Sequence, residues 1–530
     1  MNVARVLVSD KLSETGVKIL KQCPAIEVDV KTGLPPEELI KIIPQYDGLV
    51  VRSATKVTKE IIEAGARLKV IGRAGIGVDN VDVRAASAKG VVVMNTPGGN
   101  NVTTAEHAVS MMMALSRQIP QATASVRAGK WEKNKFMGVE LMGKTLGIIG
   151  IGRIGSLVVK RARGLEMRVI AYDPFISHEA AEKMGVELVT LDDVYARADF
   201  ISIHTPKTPE TTHLLNADTF KKMKKGVRII NCARGGIIDE AALARAIKDK
   251  IVAGAALDVF ENEPPEPGNP LIGLEEVIYT PHLGAATAEA QENVALAVAE
   301  QFADFFTSGL IRNAVNVPSV DPEQLPVIRP YLWLGERMGS FIAQVAQGGV
   351  KEVLIDYFGG LAEIDQRPIT QAILKGILTH YVGQSVNMVN APFLAESRGI
   401  VVKATASTQK RNFAALVGLR LVTEKGSVYV EGTVFVGDEP RLVKLEKFLI
   451  EAQLDGTLLV VTNTDKPGVI GHIGTFLGDH NINIGAFNLG RAEAGGLAMS
   501  IVNIDSAPTQ EQLKLLAKVE NILDVKLVQI

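Results

Sequence analysis

The stretch Lys144-Thr145-Leu146-Gly147-Ile148-Ile149-Gly150-Ile151-Gly152-Arg153-Ile154-Gly155 constrains this chain more than any other. An apolar strand pattern over 145–149 runs into GxGxxG at Gly150, Gly152 and Gly155, and a helix pattern follows over 156–163. Glycines at this spacing allow a tight turn, a close backbone approach to a pyrophosphate, and close packing of helix on strand. The helix start then offers unpaired N–H groups and a positive dipole end to the phosphates. Asp173 closes the next predicted strand, 168–172. An acid there takes the adenosine ribose hydroxyls and repels a 2′-phosphate, so NAD is expected over NADP. The plainer reading of Asp173 is a turn-forming residue before Pro174.

Further strand patterns at 200–204, 228–231, 254–257 and 276–279, separated by helix patterns, complete a six-stranded doubly wound unit. Ahead of it, short β-branched runs at 3–8, 27–30, 48–51, 70–72 and 91–94 alternate with helix patterns such as 13–22 and 36–43. That rhythm predicts a second parallel sheet, flavodoxin-like in type. Long helices are expected at 103–119, capped by Thr103 or Thr104, and at 287–307. They bracket the nucleotide strands. The economical α/β topology inserts a Rossmann-type doubly wound domain, 98–284, into a substrate domain made of 1–97 and 285–317.

The pattern breaks at Asn316-Val317-Pro318-Ser319-Val320-Asp321-Pro322. Residues 318–453 read as a mixed α+β domain with strands at 350–357 and 427–435 and helices at 369–379 and 442–450. Residues 456–530 read strand 458–462, helix 469–480, strands 482–491 and 497–504, helix 509–519 and strand 525–529. That order is ferredoxin-like βαββαβ.

Composition excludes other classes. With 57 Lys+Arg against 59 Asp+Glu there is no electrostatic footprint for nucleic acid or an anionic membrane. No apolar run is long enough to span a bilayer. Two cysteines, Cys23 and Cys232, build neither a disulfide framework nor a Cys-based metal site, and a cytoplasmic setting is expected. No metal is expected.

Three segments follow later strands of the nucleotide unit, where ligands sit in open α/β sheets. They are Asn231-Cys232-Ala233-Arg234-Gly235-Gly236, Leu257-Asp258-Val259-Phe260-Glu261-Asn262-Glu263-Pro264-Pro265 and Thr280-Pro281-His282-Leu283-Gly284. Oxidising a 2-hydroxy acid needs a base for the hydroxyl proton, and His is the natural base near neutral pH. Glu263 can orient His282 and raise its basicity, and the planar fork of Arg234 suits a carboxylate with its neighbouring oxygen. Taken singly, Arg234 can bridge a surface acid, Glu263 can be a solvated loop acid and His282 can cap a helix. Their order after a dinucleotide unit favours catalysis.

With GIGRIG, NCARGG, LDVFENEPP and TPHLGA in this order, the chain resembles the D-isomer-specific 2-hydroxyacid dehydrogenases from about Val3 to Val317. The resemblance implies Arg234 as carboxylate ligand, Glu263 as the His partner and His282 as acid/base. It implies NAD contacts at Arg153, Ile154, Asp173, Thr205, Cys232, Ala233, Arg234, Asp258, His282 and Gly284.

The glycine-rich turns after strands of the first domain can bind a carboxylate through backbone N–H groups. Substrate contacts are expected from Arg52, Ser53, Arg73, Gly75, Ile76 and Gly77, besides Arg234 and His282. Arg52 and Arg73 suit a phosphate, or else pair with nearby acids. RSATKVT and GRAGIGVDNVD resemble the phosphoglycerate dehydrogenase branch of the family, which implies NAD-dependent oxidation of 3-phospho-D-glycerate at the head of serine synthesis. Relatives often draw a cation from a neighbouring subunit near Trp131; Asn134 stands in its place here, with Lys133 and Lys135 alongside.

Residues 318–453 show no catalytic cluster and resemble the extra domain of the long-form enzymes, expected to couple or assemble subunits. LLVVTNTDKPGVI, followed by NINI at 481–484, resembles the ACT small-molecule regulatory domain. Asp465 can hold an ammonium and Asn483 both donates and accepts, which suits L-serine as effector; a ligand-free dimerisation module is the alternative. A homotetramer is the family expectation. The rival functions are another D-2-hydroxyacid dehydrogenase, acting on glyoxylate, hydroxypyruvate or 2-oxoglutarate, and a non-catalytic NAD-sensing scaffold.

Overall fold

The computed structural model describes residues 3–318 and 324–530. The chain divides into two compact units: Met1–Lys11, Val17–Asn95 and Val298–Ile530 in one, Leu12–Gly16 and Thr96–Ala297 in the other. The second unit is built on a seven-stranded parallel sheet. Its spatial order is Val277–Tyr279, Val252–Leu257, Val227–Asn231, Phe200–Ile203, Thr145–Ile149, Arg168–Tyr172 and Glu187–Leu188. Strand order reverses at Thr145–Ile149, which is the Rossmann switch point.

Both faces of this sheet are covered, so Phe200–Ile203 is buried along its whole length. Ala105, Met112, Val158 and Ala162 pack on Leu146 and Ile148 on one side. Val194, Phe220, Leu243 and Ile247 pack on Ile149, Ile201 and Ile229 on the other. The seventh strand, Glu187–Leu188, has two residues, too few to show a period in the sequence.

The expected 103–119 helix is displaced. It runs Asn101–Arg117, its N-cap is Asn100, and a separate helix Ile119–Arg127 follows. Neither Thr103 nor Thr104 caps it. Thr104 is buried in the first turn, and its hydroxyl donates to the carbonyls of Asn100 and Gly284.

In the first unit, five parallel strands lie in the order Ile26–Val30, Ala4–Val8, Gly48–Val51, Val70–Arg73, Val92–Asn95, the flavodoxin-like 2-1-3-4-5 arrangement. A Cβ at Gly72 would meet the Phe302 ring, so the absence of a side chain there lets the 298–308 part of helix Ala288–Ser308 lie close on the sheet. Asn316 secures the exit of this domain by bonding to Ser87, Val91 and the Val93 N–H. Of the predicted break that follows, 319–323 lie outside the described residues.

Next come helices Leu325–Val345 and Arg367–Val382 packed on a six-stranded mixed sheet. The helix expected at 442–450 is instead a hairpin of Glu439–Leu445 and Phe448–Ala452. Apolar residues at 442, 445 and 449 mimic helical spacing. Glu446 turns the chain with φ 53°, and Leu442, Leu445, Phe448 and Ile450 all face the core. Helix Leu325–Val345 is hidden in the sequence because Pro326 and Pro330 look like breaks, although Pro330 lies inside it.

The last unit is the antiparallel βαββαβ sheet, ordered Ile484–Arg491, Leu497–Ile504, Thr457–Thr464, Ile522–Gln529. Helices Val469–Asp479 and Gln510–Leu516 cover one face. Leu458, Val460, Ile501 and Val528 on the other face join one core with Leu334, Met338 and Phe341 of the preceding domain.

Candidate active site

Three loops of the nucleotide unit carry the catalytic candidates, and one buried acid organises them. Asp258 follows strand Val252–Leu257 and is 1% exposed. Its Oδ1 accepts from the Leu283 N–H at 2.7 Å and from the Thr280 hydroxyl, and its Oδ2 accepts from the Gly284 N–H at 2.8 Å. His107 Nε2 lies 3.1 Å from the same Oδ1. Burial pushes this carboxyl up, but the bonds from His107, Thr280 and Leu283 outweigh it and hold the group below the usual carboxylate range. Asp258 therefore stays charged and fixes the turn that bears His282.

His282 sits in that turn at φ 54°, a backbone region L residues rarely adopt. Its N–H donates to the carbonyls of Asp258 and Thr280, which supports the conformation. Its Nδ1 lies 2.7 Å from Glu263 Oε2. The other oxygen of Glu263 accepts from the Phe260 N–H at 3.2 Å, so the acid is itself anchored. The bond to Glu263 raises the basicity of His282, against burial. The negative charge of Asp258 adds to this and the positive charge of Arg234 opposes it.

Arg234 follows strand Val227–Asn231. The buried Asn231 shapes its turn: Oδ1 accepts from the Ala233 N–H and Nδ2 donates to the Arg234 carbonyl. Gly235 has no room for a side chain, because a Cβ would land on the Phe260 carbonyl. The Arg234 turn and the Glu263 loop are thus packed backbone to backbone. With Nδ1 facing Glu263, Nε2 of His282 is the nitrogen left to exchange a proton with a ligand.

The glycine loop fits a dinucleotide. Gly150 has φ 93°, and a Cβ there would strike the His204 carbonyl. A Cβ on Gly155 would land on the Gly150 carbonyl, so helix Arg153–Gly164 can start this close only with glycine. At Gly152 a Cβ would project into open space, and that helix has no side-chain cap. The Thr205 hydroxyl, beside Gly150, is buried without a hydrogen-bond partner among the described residues. This donor set suits the phosphates and ribose of a bound NAD. Asp173 holds the loop: Oδ2 accepts from the Ile151 N–H at 2.8 Å and Oδ1 from Phe175 N–H. It is a turn former as well as an acid at the end of its strand. Arg153 donates to the Pro97 carbonyl, Ile154 is half-buried, and burial keeps the Cys232 thiol protonated. Asp258, expected to touch NAD, has protein donors on both carboxylate oxygens.

The substrate candidates lie in the other unit, at the ends of strands Gly48–Val51 and Val70–Arg73. The Arg52 N–H donates to the buried Asp10, which also binds the Thr55 N–H and hydroxyl. Asn80 donates to the carbonyls of Arg52 and Thr55. Ser53 is exposed. A Cβ on Gly75 would fall on the Arg73 guanidinium, so Arg73 lies across the turn that contains Gly75, Ile76 and Gly77, and the Ile76 carbonyl is held by Asn95. Lys135 pairs with Glu275 at 3.6 Å.

In the terminal unit, Asp465 accepts from the Gly495 N–H and pairs with Arg491 at 3.2 Å. Asn483 bonds to Asp505. The structure thus gives these two residues different partners rather than a shared one. Among the described residues no cluster suits a metal ion, and no helix is long and apolar enough to cross a membrane.

Residues the sequence does not single out are His107, Asp10 and Asn80, and the tie from Thr104 to Gly284 is likewise unforeseen. His107 is the one with a visible signal: a polar group in Thr103-Thr104-Ala105-Glu106-His107-Ala108 of an otherwise apolar helix face.

Comparison with known families agrees with these features. Residues 109–284 match the D-isomer specific 2-hydroxyacid dehydrogenase NAD binding domain, 327–446 the D-3-phosphoglycerate dehydrogenase intervening domain, and 457–521 the ACT domain. A D-3-phosphoglycerate dehydrogenase of Archaeoglobus fulgidus is 43% identical over 99% of this chain and 100% of its own. One of Synechocystis sp. is 45% identical over 100% of this chain and 95% of its own. The apo-structure of D-lactate dehydrogenase from Escherichia coli, at 30% identity, superposes with a TM-score of 0.53, covering 59% of this chain and 99% of that one.

Proposed function

The chain belongs to the D-3-phosphoglycerate dehydrogenase family, and from that premise we propose how its residues carry out the reaction and how it is regulated. It is an NAD-dependent oxidoreductase that oxidises 3-phospho-D-glycerate to 3-phosphooxypyruvate, the entry to the phosphorylated route to L-serine. The observation that carries the mechanism is the 2.7 Å pair of His282 and Glu263 beside Arg234.

Arg234 orients the substrate carboxylate and the adjacent oxygen. His282 Nε2 takes the C2 hydroxyl proton, and Glu263 stabilises the imidazolium that forms. Bound NAD would supply the hydride acceptor for C2. Gly150, Gly152 and Gly155 with the start of helix Arg153–Gly164 hold its pyrophosphate, and Asp173 and Thr205 its sugar hydroxyls. Arg52 and Arg73, with Ser53 and the Gly75–Gly77 turn, take the anionic groups of the phosphorylated substrate. The three-residue site and two additional C-terminal domains favour this reading over an NAD-sensing scaffold.

L-Serine is the proposed effector of the ACT domain, through Asp465 and Asn483, with Arg491 as the carboxylate partner already in place beside Asp465. The enzyme is proposed to be a cytoplasmic homotetramer; its two cysteines are free and buried, as suits a reducing compartment. Because the terminal sheet shares a core with the preceding domain, point substitution is a cleaner perturbation than deletion. Serine should lower the initial rate of the full chain, and Asp465→Ala should blunt that response while sparing the basal rate. A serine response identical in the two proteins would remove Asp465 from the account.

A further inference from the structure

Apart from the active site, the described residues line a half-open cavity of about 780 Å³ between the intervening domain and the ends of the ACT sheet. One wall is the outer stripe of helix Leu325–Val345, where Trp333, Arg337, Ser340 and Gln344 recur at helical spacing. The second wall is helix Arg367–Val382. The third is the chain at Asp455-Gly456 and Gln529.

These walls are fixed. A Cβ on Gly339 would strike the Ile373 carbonyl, and one on Gly376 the Glu336 carbonyl, so the two helices cross backbone to backbone. Gln344 clamps the ACT strand: its Nε2 donates to the Gln529 carbonyl at 2.7 Å and its Oε1 accepts from the Gln529 N–H at 3.0 Å. Lys526 donates to the Val345 carbonyl at 2.8 Å. A cavity with such walls is formed before any ligand arrives.

Its charges are unusual. Glu336 is paired with Lys375 at 2.7 Å. Arg337, half-buried in the same lining, makes no hydrogen bond or ion pair among the described residues. A partly desolvated guanidinium is expected to hold a carboxylate or phosphate. Asp455 lines the same cavity but does not pair with Arg337. Arg337 and Asp455 line one cavity without pairing, so a zwitterion can engage both, whereas a dianion held by Arg337 would gain nothing from the Asp455 carboxylate. The half-exposed indole of Trp333 offers an apolar, cation-tolerant surface between them.

We propose that this cavity binds a small zwitterionic amino acid, its carboxylate on Arg337 and its ammonium on Asp455. The site is distinct from Asp465 and Asn483 and ties the ACT strand ends to the intervening helices.

The chain has two tryptophans, so in a Trp131→Phe background Trp333 is the only indole reporter. The full chain is titrated with glycine, L-serine and inorganic phosphate while its fluorescence is followed. Glycine and serine should each give a saturable change and phosphate none. Arg337→Met and Asp455→Asn should weaken binding about tenfold or more, the order expected for a lost charge-assisted hydrogen bond. Asp465→Ala should leave the Trp333 signal intact. Retained dehydrogenase activity in Arg337→Met verifies its fold.

The proposal is overturned by no saturable change with either amino acid, or by a change that survives Arg337→Met. It is equally overturned if phosphate competes on equal terms, or if Asp465→Ala abolishes the signal. A signal that follows protein concentration and ignores added ligand would mean that a second copy of the chain covers the cavity, and would also overturn it.

Discussion

Replacing Glu263 by Gln removes the negative charge that faces His282 Nδ1 at 2.7 Å while keeping the shape of the side chain. A hydrogen bond to a charged group contributes about 1.5–3 kcal/mol when buried. Here the His282 and Glu263 side chains are 49% and 38% exposed, so solvent screens the pair and about 1 kcal/mol is the reasonable figure. Losing that interaction lowers the basicity of His282. The sign follows from the pair: Glu263 stabilises the imidazolium, so its loss makes the ring deprotonate at lower pH. Asp258 and Arg234 still act on the ring and keep the shift partial.

In the oxidation direction the neutral ring is needed, so the acid limb of the kcat/KM profile should move to lower pH. In the reverse direction the protonated ring is needed, and the alkaline limb should move the same way. Initial rates of NADH formation and consumption across the pH range test both. Limbs that stay in place, or move to higher pH, would refute the claim that Glu263 sets the basicity of His282.

His282→Ala should lower kcat by about 10²–10⁴, the usual contribution of a positioned general base; steady-state kinetics with saturating NAD reads it. Asp173→Ala removes both a ribose ligand and the carboxylate that holds the Ile151 N–H, so NAD should bind more weakly and discrimination against NADP should relax in paired cofactor titrations. His107→Leu strips a partner from the buried Asp258, and should cost about 1–3 kcal/mol in denaturant unfolding and lower kcat through the His282 turn. His107→Gln, which keeps an N–H donor, should recover most of both losses.

The parallel domains are legible in the sequence because buried strands such as 145–149 and 200–203 are short, mainly apolar runs bounded by polar or glycine residues. The chemistry is legible where one motif holds both the residue and its turn, as with Arg234 before Gly235-Gly236. What escapes are links between distant segments. Thr104 looks like a helix cap, yet its hydroxyl ties the helix to Gly284, 180 residues away. His107 likewise acquires its meaning from Asp258, and no local pattern connects them. The 442–450 hairpin is lost for another reason: a two-residue turn, Glu446-Lys447, joins two short strands whose apolar residues together imitate a helix.

The central claim is that this site oxidises a phosphorylated D-2-hydroxy acid with NAD. Initial rates of NADH formation from 3-phospho-D-glycerate and from unphosphorylated D-glycerate, with the same wild-type preparation, test it directly. A site with arginines committed to the phosphate should favour the phosphorylated acid in kcat/KM by about a hundredfold or more. Equal values, or a preference for D-glycerate, would contradict it.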